Sequence, residues 1–219
     1  MSINQFYQAT RYYKINGFRK ESVISFIGSE PGQVVLDIGS SNGILGMEAK
    51  KRLPCKFYGT DISLEAVALA RNVLNGAWHF NLEDDFANWP EALKQKYFNV
   101  VVISEVLEHL FEPEKLLLQL KRLGKADKSV IITVPNILFW KNRLKLLLGS
   151  FNYTNQGLMD RGHIHFFSWQ SFKRMIAEAG YEIVGINNHI PTRGTKWLGK
   201  IWPGLFSFQF IVKIKAVIE

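Results

Sequence analysis

Two acids flanking a glycine bend are the residues best placed to do chemistry. The run Val34-Val35-Leu36-Asp37-Ile38-Gly39-Ser40-Ser41-Asn42-Gly43 reads as an apolar strand that ends in a carboxylate and turns through Gly-x-x-x-Gly into a helix. Gly39 and Gly43 permit a tight turn and a ligand's approach where a β-carbon would clash, and the helix start behind them offers free N–H groups. A dinucleotide site would read Gly-x-Gly-x-x-Gly, with a pyrophosphate on that helix end. Here Ser41 replaces the middle glycine and Asp37 would repel a pyrophosphate. A carboxylate there suits an ammonium or sulfonium ligand, which speaks against NAD. Asp61, 24 residues further on, ends the next apolar run. It can accept two hydrogen bonds from a ribose diol, and capping the following helix is its competing use. Asn81-Leu82-Glu83 closes a third strand and can offer an amide and a backbone N–H to an adenine edge.

Proton-handling groups follow. His109 lies in Glu105-Val106-Leu107-Glu108-His109-Leu110, and His163 and His165 lie in Arg161-Gly162-His163-Ile164-His165. Either His109 or His163 could serve as a general base. For His109 the favoured reading is structural, packed under the fourth strand with a ring N–H on a backbone carbonyl. For His163 catalysis and structural latching weigh equally. His-x-His evokes a metal site, but no third ligand stands near it in sequence, so no metal is expected. A hydrolase elbow, Gly-x-Ser-x-Gly, does not occur. Phe139, Trp140, Phe151, Tyr153, Phe166, Phe167 and Trp169 form a dense aromatic group. It reads as core packing, with an apolar acceptor pocket or water-excluding lid as the alternative.

These groups need a frame, and apolar runs alternating with helix-period segments supply a doubly wound α/β sheet. Strands are expected at 33–39, 56–61, 77–82, 98–104, 129–134, 181–186 and 208–217, the last antiparallel. Helices are expected from Ile44 to Leu53, from a Ser63 cap to Asn75-Gly76, from Pro113 to Gly124, and from a Ser168 cap to Gly180. Open α/β sheets bind ligands at the carboxyl ends of their strands, so the tips bearing Asp37, Asp61 and Asn81 converge on one crevice. The chain divides into an N-terminal helical cap (1–32) and one domain (33–219), with an insert at 136–167 read as an acceptor-side lid. Phe6, Tyr7, Tyr12 and Tyr13 could cover the crevice or pack on the sheet edge. The basic segment from Phe139 to Leu148 is expected to be half buried, leaving peripheral membrane contact open.

Composition bounds the rest. Of 219 residues 47% are hydrophobic and 21% charged, which excludes overall disorder. There is no apolar run of about 18 residues and no secretory leader pattern. One cysteine, Cys55, excludes a disulfide framework or a Cys-rich zinc module. A cytoplasmic protein is expected. The net charge of +8 is spread in short groups rather than a stripe, so a solvated basic face is favoured over nucleic-acid binding.

The segments VLDIGSSNG, YGTDIS, NLED and FNVVVISEVLEHL together resemble the class I S-adenosylmethionine-dependent methyltransferases, from roughly Val34 to the C-terminus. The later stretches VPNILFWKNRLKLLLGSFNYTNQGLMDRGHIHFFS and LFSFQF look like the small stand-alone members found beside polysaccharide or lipid biosynthesis functions. The resemblance implies a Rossmann-like seven-stranded fold and S-adenosylmethionine as cofactor, with S-adenosylhomocysteine as product. It places Asp37, Gly39, Ser40 and Gly43 around the methionine part, with Asp37 facing the amino end. Asp61 and Ile62 fall at the ribose, Asn81 and Leu82 at the adenine, and Ser104 and Glu105 beside the methionine tail. Ser41 and Asn81 depart from the family's frequent glycine and aspartate. The implied activity is methyl transfer to a small-molecule or lipid- or sugar-linked acceptor, oxygen first. The alternatives are a non-catalytic cofactor-binding partner, an RNA methyltransferase and an NAD(P)-dependent oxidoreductase. The sequence leaves the oligomeric state open.

Overall fold

The structure is a computed structural model and describes residues 16–124, 127–191 and 196–217. In chain order its elements are α1 (Gly17–Ile27), β1 (Gln33–Ile38), α2 (Ile44–Lys50), β2 (Cys55–Asp61), α3 (Leu64–Arg71), β3 (Gly76–His79), α4 (Glu91–Lys94), β4 (Val100–Ser104) and α5 (Pro113–Lys121). They continue with β5 (Ser129–Pro135), α6 (Trp140–Leu147), α7 (Trp169–Glu178), β6 (Tyr181–Ile186), α8 (Lys196–Ile201), α9 (Pro203–Phe206) and β7 (Gln209–Ala216). The strands form one seven-stranded sheet in the order β3-β2-β1-β4-β5-β7-β6. β7 runs antiparallel to both β5 and β6, as expected, while the other pairings are parallel.

The pattern follows from burial on two faces. β5 is buried at every position, as a central strand covered above and below requires. On one face α5 and α7 press Leu116, Leu120, Phe172 and Ile176 against Leu36, Ile103 and Ile132. On the other, Val23 and Ile27 of α1, Leu45 and Ala49 of α2 and Val67 and Ala70 of α3 close over Val35, Phe57, Val102 and Ile131. Each fully buried Leu, Ile or Phe here contributes about 1.5–3 kcal/mol. Caps fix the helix starts: Ser63 accepts from the Ala66 N–H at 3.2 Å, and Ser168 and Ser171 form a reciprocal capping box with both bonds at 3.0 Å.

Some elements are shorter than the sequence suggests. α3 ends at Arg71 because Asn75 leaves the helix to pair with Phe57, its side-chain oxygen accepting from the Phe57 N–H at 2.9 Å. β3 stops at His79 because its partner β2 ends at Asp61 opposite it. Asn81 and Leu82 therefore lie in a turn beyond the strand, where Asn81 Oδ1 accepts from the Glu83 N–H at 3.1 Å. α2 ends at Lys50 and β4 starts at Val100. α6 is not half buried: Leu144 and Leu147 are 49% and 82% exposed. Polar hooks hold it instead, Asn142 Nδ2 donating to the Ile137 carbonyl and Arg143 Nε to that of Leu138, both at 2.7 Å. The short helices α4, α8 and α9 were not foreseen. Phe6, Tyr7, Tyr12 and Tyr13 lie outside the described residues.

Sheet order positions the site. The chain builds β1, β2 and β3 outward in one direction, then returns to place β4 on the other side of β1. The loops after β1 and β4 diverge there, and an open α/β sheet presents its ligand crevice at that reversal.

Candidate active site

Asp37 is the penultimate residue of β1, between Gly59 of β2 and Val102 of β4, and is 3% exposed. Burial above all pushes its carboxyl up to about 8; the Asp61 charge adds to the rise and Arg19 opposes it. After Ile38 the chain turns through left-handed Gly39 (φ 70°), Ser41 (φ 48°) and Gly43 (φ 79°) into α2. Packing against protein also calls for these glycines. A β-carbon on Gly39 would meet Val106 Cγ2 at 2.5 Å, and one on Gly43 would meet Val73 Cγ2 at 2.8 Å. Both are required by backbone sign and by packing against protein. The Ser40 N–H is tied to the Thr60 carbonyl at 2.8 Å, while its buried hydroxyl has no partner. Ser40, Asp37, Arg19 and Ser104 line a narrow cleft open to solvent. A broader depression between Gly32 and Lys56 lies at the amino ends of β1 and β2, carries Lys50 and Lys56 but no acid, and is at the wrong end of the sheet for a ligand crevice.

Asp61 ends β2 with both carboxylate oxygens engaged. Oδ2 accepts from the Ser41 N–H at 2.8 Å and Oδ1 from the Ser63 N–H at 2.9 Å. Burial raises its pKa, and these backbone N–H groups oppose the rise. The acid therefore locks the glycine bend to the start of α3 and keeps about two further lone-pair sites for a ligand. The Ile62 carbonyl accepts from His79 Nε2 at 3.0 Å.

The tip of β4 is built around a charge pair that the sequence did not reveal. Glu105 adopts φ 58°, a left-handed conformation rare for a residue with a β-carbon, which marks a position held by its surroundings. Its carboxylate meets Arg19 Nη1 at 3.1 Å, Gln209 Nε2 at 2.6 Å and the Thr133 hydroxyl at 3.3 Å. Burial raises the Glu105 pKa, and Arg19 is the largest opposing influence. Arg19 comes from α1, 86 residues upstream, and no local pattern announces it. Ser104 faces Thr133, hydroxyl to hydroxyl at 3.2 Å.

Beyond Glu105 a single turn of 3₁₀ helix, Leu107–His109, carries Glu108 and His109. The insert folds back onto this turn. The N–H groups of Ile164 and His165 donate to the Glu108 carbonyl at 2.9 and 3.0 Å, and His109 Nδ1 donates to the Gly162 carbonyl at 2.9 Å. His163 thereby stacks edge-on against His109, with ring centroids 4.9 Å apart. His165 instead points to the Phe111 carbonyl, 3.1 Å from Nε2. Burial lowers the His109 pKa and, with the His109 charge, takes His163 down to about 4, so both rings are neutral at pH 7. The insert's aromatics divide: Phe139 and Phe167 are buried, whereas Phe151 and Tyr153 are 55% and 49% exposed.

The structure thus brings Asp37, Ser40, Ser104 and the unforeseen Arg19 to one cleft, with Asp61 bonded to its glycine bend. Exposed Asn81 stands on the turn after β3, and His109 and His163 meet on the insert side. This sheet order and this crevice define a class I, Rossmann-like methyltransferase domain. The chain belongs to the methyltransferase domain family, which it matches over residues 7–186. It is similar to a ubiquinone biosynthesis O-methyltransferase of Glaesserella parasuis serovar 5, 31% identical over 110 residues, covering 48% of this chain and 46% of that protein. A second such enzyme, from Yersinia enterocolitica, is 26% identical over 125 residues, covering 57% and 51% respectively. The chain spans about half the length of the curated relatives it matches. Its fold is shared with a SAM-dependent methyltransferase from Archaeoglobus fulgidus, TM-score 0.62 at 17% identity, covering 90% of this chain and 94% of that one. It is also shared with magnesium protoporphyrin IX methyltransferase from Synechocystis with bound S-adenosylhomocysteine, TM-score 0.61 at 18% identity, covering 97% and 92%. Among the described residues no helix is long and apolar enough to cross a membrane.

Proposed function

We propose that the protein is an S-adenosylmethionine-dependent methyltransferase whose acceptor atom is a hydroxyl oxygen on a small molecule with an apolar part. The observation that carries this reading is the pairing of Asp37 and Asp61 at adjacent strand tips around the Gly39–Gly43 bend, with Arg19 on the same cleft. An amino acid tail bears both an ammonium and a carboxylate, and a buried acid beside a buried guanidinium complements the two. Ser40 contributes a buried hydroxyl still lacking a partner, which fits a polar ligand in that cleft. Ser104 and Glu105 border the tail, Gly39 and Gly43 shape the bend, Asp61 with Ile62 takes the ribose, and Asn81 with Leu82 frames the base.

When bound, the cofactor supplies a methyl group on a positively charged sulfur, a good leaving group. The protein's part is to hold the acceptor in line and exclude water, which can lower a barrier by about 7–11 kcal/mol. His109 and His163 are the candidate general bases on the acceptor side, and burial opposes the charged form of each. Segment 136–167 serves as the acceptor-side lid on a domain running from 33 to 219. Oxygen is supported by the O-methyltransferase relatives. A lipid-linked acceptor is supported by the exposed leucines of α6 beside Lys141 and Lys145.

Incubating the protein with methyl-labelled S-adenosylmethionine and hydroxylated aromatic and prenylated acceptors tests this. Label extractable into organic solvent and stable as an ether supports the reading. Label only in RNA, or none in any acceptor while S-adenosylhomocysteine still binds, overturns it.

A further inference from the structure

A fully buried amide stands where two separate segments of the chain meet at the carboxyl end of β5. Asn136 follows that strand directly and has no exposed surface. The insert leaves the sheet here and returns to the same point. Phe167 bridges Asn136 in parallel, and the Ile137 N–H donates to the Phe167 carbonyl at 3.0 Å. The connection from β6 to β7, which carries α8 and α9, comes down beside them. The Asn136 N–H donates to its Phe208 carbonyl at 3.1 Å.

The side chain joins the two segments. Its oxygen accepts from the Leu138 N–H at 3.0 Å, within the insert. Its Nδ2 donates across to the Gly204 carbonyl at 3.1 Å and the Ser207 carbonyl at 2.7 Å. Among short side chains only this amide offers two donors and an acceptor together. Aspartate would set an acceptor against two carbonyls, and an apolar residue would leave three backbone groups without that partner. Neighbouring contacts run the same way: Arg143 Nη2 reaches the Gly204 carbonyl at 3.3 Å, and Phe139 meets Phe208 edge-on with ring centroids 5.6 Å apart.

The far side of the insert carries His163, one of the candidate bases of the proposed reaction. The Ile164 and His165 N–H groups dock on the Glu108 carbonyl and bring His163 against His109. A loop pinned in this way moves when its foot moves. We propose that Asn136 is a positioning residue for methyl transfer: its amide locks the insert to the α9 end of the β6–β7 connection, so that the two form one wall of the acceptor site. The coupling stands on its own contacts; its use for the acceptor rests on the proposed function. Asp37, Ser40 and Asp61 lie on β1, on β2 and on the bend after β1, and β4 separates these strands from β5. The wall therefore governs the acceptor and leaves the nucleoside in place.

Asn136→Asp in the full chain keeps the shape and the oxygen but removes both donors. Amide hydrogen exchange read by mass spectrometry should speed up at least about tenfold in both 138–147 and 202–208 and stay unchanged in α3. With labelled S-adenosylmethionine, kcat/KM for the acceptor should fall at least about tenfold, while the Kd for S-adenosylhomocysteine stays the same. Faster exchange in one segment alone, or in neither, overturns the coupling. Nucleoside affinity lost in step with activity overturns the positioning role, because a damaged fold would do the same. Should Asn136→Asp not fold, Arg143→Gln replaces it, since that exposed side chain reaches the same Gly204 carbonyl. An increase of about two- to threefold is then expected in both segments, and one alone or neither again overturns the coupling. An unmodified protein that binds S-adenosylhomocysteine yet methylates nothing sinks the proposed function and the acceptor role with it, while exchange still decides the coupling by itself.

Discussion

Replacing Asp61 by Asn separates the two jobs assigned to that side chain. Each carboxylate oxygen already accepts one backbone N–H, from Ser41 at 2.8 Å and from Ser63 at 2.9 Å. An amide has one oxygen, so its NH₂ must face one of those N–H groups, which costs about 1–3 kcal/mol of stability. The cofactor effect is additional. A ribose hydroxyl on a carboxylate is a charge-assisted bond worth about 1.5–3 kcal/mol, roughly 12- to 150-fold in affinity. The assay is isothermal titration with S-adenosylhomocysteine and with its 2′-deoxy analogue, on both proteins. The unmodified protein should prefer the natural ligand by about 10- to 100-fold and Asp61→Asn by less than about threefold. Loop distortion would weaken both ligands alike, so it drops out of the ratio. Equal discrimination by the two proteins would refute the assignment of Asp61 to the ribose.

Four further outcomes follow from the same geometry. Arg19→Gln leaves Glu105 buried without its charge partner and should cost about 3 kcal/mol in urea unfolding. Asp37 titrates near 8 when folded against an ordinary 3.8, so the unfolded chain binds fewer protons between those values and stability falls as pH rises through them. Asp37→Asn removes that loss, so its melting temperature should gain on the unmodified protein from pH 5 to pH 8; a constant difference would contradict the buried acid. The ammonium of S-adenosylhomocysteine favours ionised Asp37, so binding at pH 7 should release protons, seen as different apparent enthalpies in phosphate and Tris buffers. Leu147→Ser should leave the melting temperature unchanged, since that side chain is 82% exposed.

The sequence carried the frame and one side of the site. Strand tips at Asp37 and Asp61, the caps at Ser63 and Ser168 and the reversed last strand were all legible, because burial on two faces and local capping write themselves into runs of a few residues. The left-handed backbone at Ser41 was hidden, since only its glycine neighbours declare a positive φ. Arg19 was illegible for a different reason: its partner Glu105 is 86 residues away, and nothing in α1 sets one arginine apart from other basic residues. Glu108 stood in plain view beside His109. Its meeting with His163 depends on how the insert folds back through the Ile164 and His165 N–H groups, which no spacing rule encodes. Reading α6 as half buried failed because Asn142 and Arg143 anchor it through polar groups and leave its leucines outside.

The central claim is that two acids at neighbouring strand tips grip a sulfonium nucleoside across the glycine bend. A crystal structure of the protein grown with S-adenosylhomocysteine tests it most directly. The account predicts the ribose hydroxyls on Asp61 and the amino acid tail between Asp37 and Arg19. A nucleoside seated elsewhere, or a cleft that stays empty at saturating ligand, would contradict it.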